Sequence, residues 1–458
     1  MFPSLLMTKF ETSEVNIGNM SRILILGYEL PALADGALEA RSYRTWQFVE
    51  PLLAGGHHVC LIASYQENQL DVPQRLHPLL TYHRVNLMEF NWLKYVNAIS
   101  DRFQPDGILC IMLNNGLRGT RLATKKPLWI DLYGDRVSEG QVSSHTRKSN
   151  RGVKILYEYL DIILRNADAY STCSTPQKFE VVGQLGMVER LNRETIGYDF
   201  VHAVLPGAPS KPREVRDPIK LRGDKLPEDA FIVLWCGGYN VWTDVQTLFW
   251  GLNDAMERDS RVHYVSAGAG VQMENNNSYE RLLDMVNRSP NRHRFHMLGW
   301  QPSGVIPGLY QQADVGVNLD ASHYETMLGT RTRLVEMMHH GLPVITTLGC
   351  ELSYIIKNQE LGLTFRIGDA KMFSNQIRAL AKDDSMQKRF AQRAWDYTRR
   401  ELSFENTTQS FLEWAKKPAF APDRGTRKSG FNLRDLEHNL RAIMRSILWK
   451  VWALERGE

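Results

Sequence analysis

The chain has little cysteine: five in 458 residues, at positions 60, 110, 173, 236 and 350. None lies in a CxxC pair or beside histidine at zinc-binding spacing, which excludes a disulfide-stapled scaffold and a structural zinc module. Cys60, Cys110 and Cys236 sit inside apolar runs and read as small core residues, and a reducing, cytosolic setting follows. Long hydrophobic runs are missing too. No window approaches the roughly 18 uninterrupted apolar residues of a membrane span, and the opening segment MFPSLLMTKFETSEVNIGNMSR is too interrupted for a secretory signal. Residues 1–20 are expected to fray. Charge of one sign is scarce: 55 Lys+Arg oppose 51 Asp+Glu, a net +4, too little for a protein that coats duplex nucleic acid. The sequence also lacks a DxD pair for a metal, a GxxxxGK[ST] loop, and a GxGxxG turn after its first strand. A P-loop nucleotidase and a first-domain dinucleotide fold are thereby disfavoured.

What is present is an alternation of short apolar runs and longer helical patterns, the signature of α/β sheets with crossover helices. Strands are expected at 22–27, 58–63, 107–113, 127–132 and 168–173, with a helix over about 151–166. This first unit closes near 201–206. Residues 207–227 hold four prolines and many charges and read as a linker. The alternation restarts at 231–236 and continues through 262–267, 294–298, 314–319 and 342–347. The expected architecture is two doubly wound Rossmann-like domains, 21–206 and 228–390, facing across a cleft. Helices follow over 391–415, then a basic tail over 416–458.

In open parallel sheets ligands bind beyond the carboxyl ends of strands, where glycine turns expose helix N-termini. Two such turns stand out, CGGYNVWTD (236–244) and AGAG (267–270). Gly237 and Gly238 suit close approach to phosphates, and backbone around Gly299 and Trp300 suits a nucleobase. The most informative stretch is HYETMLGTRTRLVEMMHHGLPVITT (323–347). Glu325 precedes an entry through Gly329 and Thr330 into a helix carrying Arg331, Arg333 and Glu336. An anion there would meet backbone N–H groups, the positive end of the helix dipole and two guanidinium forks. Glu336, a turn further on, is placed to reach a sugar hydroxyl. Asp131 and Asp135, in WIDLYGD past a first-domain strand, either contact an acceptor hydroxyl or cap a turn. Trp242 and Trp300 are candidate platforms for a sugar or base. The pairs His57-His58 and His339-His340 are given no catalytic role.

Residues 22–415 resemble GT-B-fold glycosyltransferases, closest to the retaining family-four type. LLAGGHHVCLIA and ADAYSTCS carry the likeness in the first half. LWCGG, VSAGAG, FHMLGWQPSGVIPGLYQQADVGVNL and EMMHHGLPVI carry it in the second. The resemblance implies sugar transfer from a nucleotide diphosphate sugar, with retention, and with neither metal nor other cofactor. It implies a ribose contact for Glu336 and catalytic work for Glu325, Arg331 and Arg333. Two departures stand out. The usual partner Glu, eight positions before Glu336, is Leu328, so a subgroup with an ET-x(4)-RTR pattern is the better comparison. The Arg and Lys that usually follow the first strand of the second domain are absent from CGGYNVWTD. A non-catalytic binding protein and a nucleotide-sugar epimerase on the same fold are the competing readings. The acceptor is a saccharide, a lipid-linked saccharide or a small-molecule glycoside.

The tail accounts for the charge excess. Residues 416–458 carry ten Lys/Arg against five acids, leaving 45 basic and 46 acidic residues in the rest. From 433 the residues Leu433, Leu436, Leu440, Ile443, Ile447, Val451 and Leu454 form one helical stripe, with Arg434, Arg441 and Arg445 on the other side. Such a helix fits an anionic membrane surface, the enzyme body, or a second copy in a homodimer.

Overall fold

A computed structural model describes residues 20–31, 39–64, 74–87, 91–271 and 277–427. The expected 433–458 helix and the expected frayed stretch before residue 20 lie outside these. The first domain is an eight-stranded sheet of β1 (Arg22–Gly27), β2 (His58–Ser64), β3 (Gln74–His77), β4 (Leu80–Val85), β5 (Gly107–Ile111), β6 (Leu128–Leu132), β7 (Ala169–Thr172) and β8 (Val201–Ala203), in the order β3-β4-β2-β1-β5-β6-β7-β8. All neighbours run parallel except the β3–β4 pair. The second domain is a six-stranded sheet, wholly parallel. It comprises β9 (Phe231–Cys236), β10 (Val262–Ala267), β11 (Phe295–Met297), β12 (Val315–Asn318), β13 (Val344–Leu348) and β14 (Gly362–Arg366), ordered β11-β10-β9-β12-β13-β14.

The apolar runs explain this directly. RILILG, GILCI and FIVLWC have no polar alternation, and their strands are buried on both faces, as sheets covered by helices on each side require. In each domain the strand order reverses beside the first strand, at β1/β5 and at β9/β12. Crossovers leaving to opposite sides open a crevice there. β5 is shorter than expected. It stops at Ile111, because Met112 takes φ +67° and opens the helix Met112–Gly119. β4 escaped the sequence pattern because LTYHRV mixes His and Arg into a buried strand.

The linker lies along the second domain. Leu221 and Leu226 are buried in that domain's core, Arg222 pairs with Asp314, and Arg213 pairs with Glu336 at 2.8 Å. The chain crosses between domains twice, side by side: Ala208 N–H donates to Leu402 O (2.7 Å) and Phe404 N–H donates to Ala208 O (2.8 Å). Beyond the helix Asp384–Glu401 the chain returns to the first domain. There Phe411 packs edge-on against Phe48 (5.1 Å) and Trp129 (5.3 Å). It does not leave at 416. Gly107 abuts Pro418, and buried Asp423 takes both forks of buried Arg190, each at 2.7 Å. Residues 416–427 therefore belong to the first domain's body, and the basic character assigned to a tail begins further on. Among the described residues no helix is long and apolar enough to cross a membrane.

Breaking a buried ion pair from one side strands the other charge, at about 3–5 kcal/mol. Asp423→Ala should therefore lower the unfolding free energy by about that much in a urea titration. A loss within error would show that residues 416–427 do not anchor the first domain.

Candidate functional site

The site forms where the reversal points of the two sheets face each other. On the second-domain side β9 ends in Gly237-Gly238. Gly237 adopts φ +105°, and a Cβ on Gly268 would lie 2.0 Å from Gly237 O, so two backbones meet where no side chain fits. Trp300, 46% exposed, stands beside this turn, with Cη2 3.3 Å from the place a Cβ on Gly238 would occupy. Gly299, at φ +69°, aims it there.

Arg333 closes the turn from the far side. Its guanidinium lies 4.3 Å over the Trp235 ring, and its Nη2 donates to Gly238 O at 2.8 Å. Its Nη1 is sequestered and has no hydrogen-bond partner. Trp235 is fixed in turn by Nε1–H donation to Gly237 O (2.9 Å) and by stacking on Tyr239. Burial pulls the Arg333 pKa down from its ordinary value. A guanidinium has no accessible neutral form, so the consequence is a cation in search of an anion.

The other predicted cation behaves differently. Arg331 is buried, donating Nε to Asp320 (2.9 Å) and both Nη atoms to Glu325 (3.0 and 2.8 Å). Trp242 lies 5.6 Å from this guanidinium and belongs to the same scaffold. Two carboxylates share one cation, and burial together with the Asp320 charge raises the Glu325 pKa to about 7. Glu325 and Arg331, expected to be catalytic, thus form a closed triad with Asp320. It fixes the loop entering the helix Thr332–His339, with Gly329 pressed against Glu325 O and Thr330 O accepting from Arg331.

Glu336 is also committed. One oxygen accepts from Arg213 Nε (2.9 Å), and the other accepts from the Tyr310 hydroxyl (3.3 Å). Glu336 thereby forms a strut between linker and helix. Asp131 is wholly buried and accepts both forks of Arg44, at 3.0 and 2.7 Å, plus the Ser171 hydroxyl. It offers nothing to an acceptor. Asp135 caps the helix Arg136–Arg147 through Val137 and Ser138 N–H. The turn-and-cap alternative prevails for Asp135, whereas Asp131 is a strand residue of β6 held in a buried ion pair.

Several residues that join the domains carried no signal of their own. Arg44 lies 4.8 Å over the Tyr133 ring, and the Tyr133 hydroxyl meets Thr332 Oγ1 at the start of the helix bearing Arg333. Ser174 Oγ–H donates to Leu328 O, so the position without the usual Glu serves through its backbone. Glu351, from the second domain, accepts from Thr175 N–H (2.6 Å) and Thr175 Oγ1–H (2.7 Å) at the head of the first-domain helix Thr175–Met187.

Known proteins bear on this arrangement. Residues 230–383 match the family model described as "Glycosyl transferases group 1". The match spans most of the second domain. The chain is 27% identical over 268 residues to the lipopolysaccharide core biosynthesis glycosyltransferase LpsE of Rhizobium meliloti (strain 1021), a match over 56% of this chain and 66%, just under two thirds, of that protein. Among solved structures, sucrose-phosphate synthase from Thermosynechococcus elongatus superposes with a TM-score of 0.64 at 17% identity, covering 86% of this chain and 98% of that one. Anabaena Alr3699/HepE, solved with UDP and glucose, gives 0.59 at 13% identity, covering 86% and 98%. The fold is GT-B, and the matched stretch carries the Gly237-Gly238 turn, Trp300 and Arg333.

The two arginines should separate cleanly. Arg331→Met strands Asp320 and Glu325 and should cost about 3–5 kcal/mol of stability; Arg333→Met removes no carboxylate's partner and should leave the melting temperature of the apo protein nearly unchanged. Equal destabilisation by both would contradict the division. The Glu325 carboxyl has a higher pKa folded than unfolded. Its contribution is therefore full below the ordinary value of 4.5 and lost as pH rises through about 7. Glu325→Gln should flatten that part of the stability–pH curve, and an unchanged slope would place the titration elsewhere.

Proposed function

We propose that the chain transfers a sugar from a nucleotide diphosphate sugar to a hydroxyl of an acceptor, with retention and without a metal. The bond from anomeric carbon to diphosphate oxygen breaks, a bond to the acceptor oxygen forms, and the acceptor proton leaves with the diphosphate. Such a reaction needs stabilisation of charge gathering on the leaving group and close placement of the acceptor. The observation that carries the reading is Arg333 Nη1, sequestered and unpartnered behind the Gly237-Gly238 turn. A phosphate over that turn would complete its hydrogen bonding, with the positive end of the helix Thr332–His339 adding to the field. This one guanidinium substitutes for the Arg and Lys missing from CGGYNVWTD. Trp300 offers its face beside the same turn, and Gly299 leaves room for a base or sugar. The glycosyl transferases group 1 match and the UDP in the HepE complex support a nucleotide diphosphate donor.

One observation favours a second reading, a binding protein without turnover: Glu325 and Glu336 are both committed to arginines, and Leu328 stands where a Glu is usual. A panel of UDP, GDP and ADP sugars separates the two. On the transferase reading one donor releases its nucleotide when acceptors are added, and Arg333→Met reduces both nucleotide binding and release at least about tenfold, the loss of a charge-assisted hydrogen bond. Tight binding with no release on any acceptor supports the second reading. Binding unaffected by Arg333→Met would overturn the site.

A further inference from the structure

The first-domain wall of the cleft holds a second cation without a counter-ion among the described residues. β1 ends at Gly27, and the next residue, Tyr28, is buried. Asn115, fully buried on the helix Met112–Gly119, donates Nδ2–H to Gly27 O (3.3 Å) and accepts from Arg118 Nη1 at 3.0 Å. Arg118 is thereby drawn to the carboxyl end of β1, at the reversal point of the sheet. Arg41 lies 5.0 Å over the Tyr28 ring. Arg118, Arg41 and Arg136 all act on the Tyr28 hydroxyl, each favouring its ionised form, although burial outweighs them and keeps the phenol neutral.

The acids near it among the described residues are already used. Glu29 pairs with Arg84, Glu39 with Arg41, and Glu139 with Arg136. Among the described residues Arg118 has only the Asn115 carbonyl. The largest influences on it besides burial are Tyr28, Tyr159, Arg121 and Cys110, none of them a carboxylate, and burial lowers its pKa. At Arg44, Arg190 and Arg331, by contrast, a carboxylate receives the buried guanidinium in the bidentate manner. Of the guanidinium groups near the end of β1, Arg118 alone is left without a carboxylate among the described residues.

We infer that Arg118, held by Asn115 at the carboxyl end of β1, is an oxyanion subsite that selects an acceptor saccharide bearing a phosphate or a carboxylate. This rests on the reading of the cleft as a sugar-transfer site and adds the class of acceptor. A planar fork with no carboxylate partner among the described residues matches a phosphate or carboxylate far better than a hydroxyl. A neutral sugar would leave the buried charge uncompensated. Arg118 is a specificity residue here, not a catalytic one: it holds the acceptor's anionic group, away from the reacting hydroxyl.

The test uses the full chain in thermal-shift titrations at constant ionic strength, with glucose 6-phosphate, glucuronate, inorganic phosphate and glucose as probes. The expected result is stabilisation by glucose 6-phosphate, glucuronate or both, and none by glucose. Arg118→Gln should weaken the anionic probe's apparent Kd about tenfold or more, while the shift produced by the nucleoside diphosphate is unchanged. A response to glucose 6-phosphate and inorganic phosphate alone identifies a phosphorylated acceptor; a response to glucuronate identifies an acidic sugar. If Arg118→Gln also loses the nucleotide shift, its fold is damaged and Arg118→Lys replaces it: that variant keeps charge, loses the fork, and should still weaken the anion. The inference is overturned if no anionic probe stabilises the wild type beyond glucose, or if both variants bind the anion as the wild type does. Failure of every nucleoside diphosphate to bind the wild type counts against the sugar-transfer reading instead.

Discussion

A guanidinium taken out of water must find negative charge, and this structure is organised by where that charge comes from. Arg44, Arg190, Arg331 and Arg213 are answered from within, by Asp131, Asp423, the Asp320/Glu325 couple and Glu336. Each pair ties together separate segments of the chain. Arg190 holds the returning C-terminal segment to the first domain, Arg213 holds the linker to the second, and Arg331 fixes the loop that aims the helix Thr332–His339. The desolvation cost of these charges is offset only because their donors are met, so none of the pairs tolerates loss of one partner. Arg333 and Arg118 are the exceptions, one on each wall of the cleft.

That asymmetry connects fold to chemistry. The sheets bring two glycine-ended strands and two crossover helices to facing reversal points. The internal ion pairs brace this frame, and on the proposed reading the remaining cations supply a field already oriented for a charged substrate. Preorganised charge of this kind costs no rearrangement at the moment of reaction. The contacts Tyr133–Thr332, Ser174–Leu328 and Thr175–Glu351 set the spacing of the two walls. Asp131, which never reaches the cleft, takes part only by holding Arg44 against the Tyr133 ring.

The architecture was legible in the sequence because its strands are unbroken apolar runs: RILILG, GILCI and FIVLWC can only be buried on both faces. The helix Arg151–Asn166 matches its expected bounds because it is long and amphipathic. β4 and the helix Met112–Gly119 were less legible, the first for its polar content and the second because a positive φ at Met112 has no sequence signature. The site was half legible. The stretch 323–347, the Gly237-Gly238 turn and Trp300 converge as expected. Which charged residues face the cleft was not readable, since pairing depends on partners such as Asp320, Arg213 and Arg44, brought close only by folding. Spacing marks Arg331 and Arg333 as equals; the structure closes one into a triad and leaves the other with one sequestered nitrogen unpartnered. Arg118 gave no signal, being distinguished by the lack of a carboxylate partner among the described residues rather than by any motif.

The proposal that Arg333, with its unpartnered Nη1, marks the donor diphosphate is tested most directly by a crystal structure with the nucleoside diphosphate that binds tightest. The account predicts a phosphate oxygen within hydrogen-bonding distance of Arg333 Nη1, over the Gly237-Gly238 turn and beside Trp300. Phosphates bound elsewhere, with Arg333 Nη1 still unpartnered against Trp235, would contradict it.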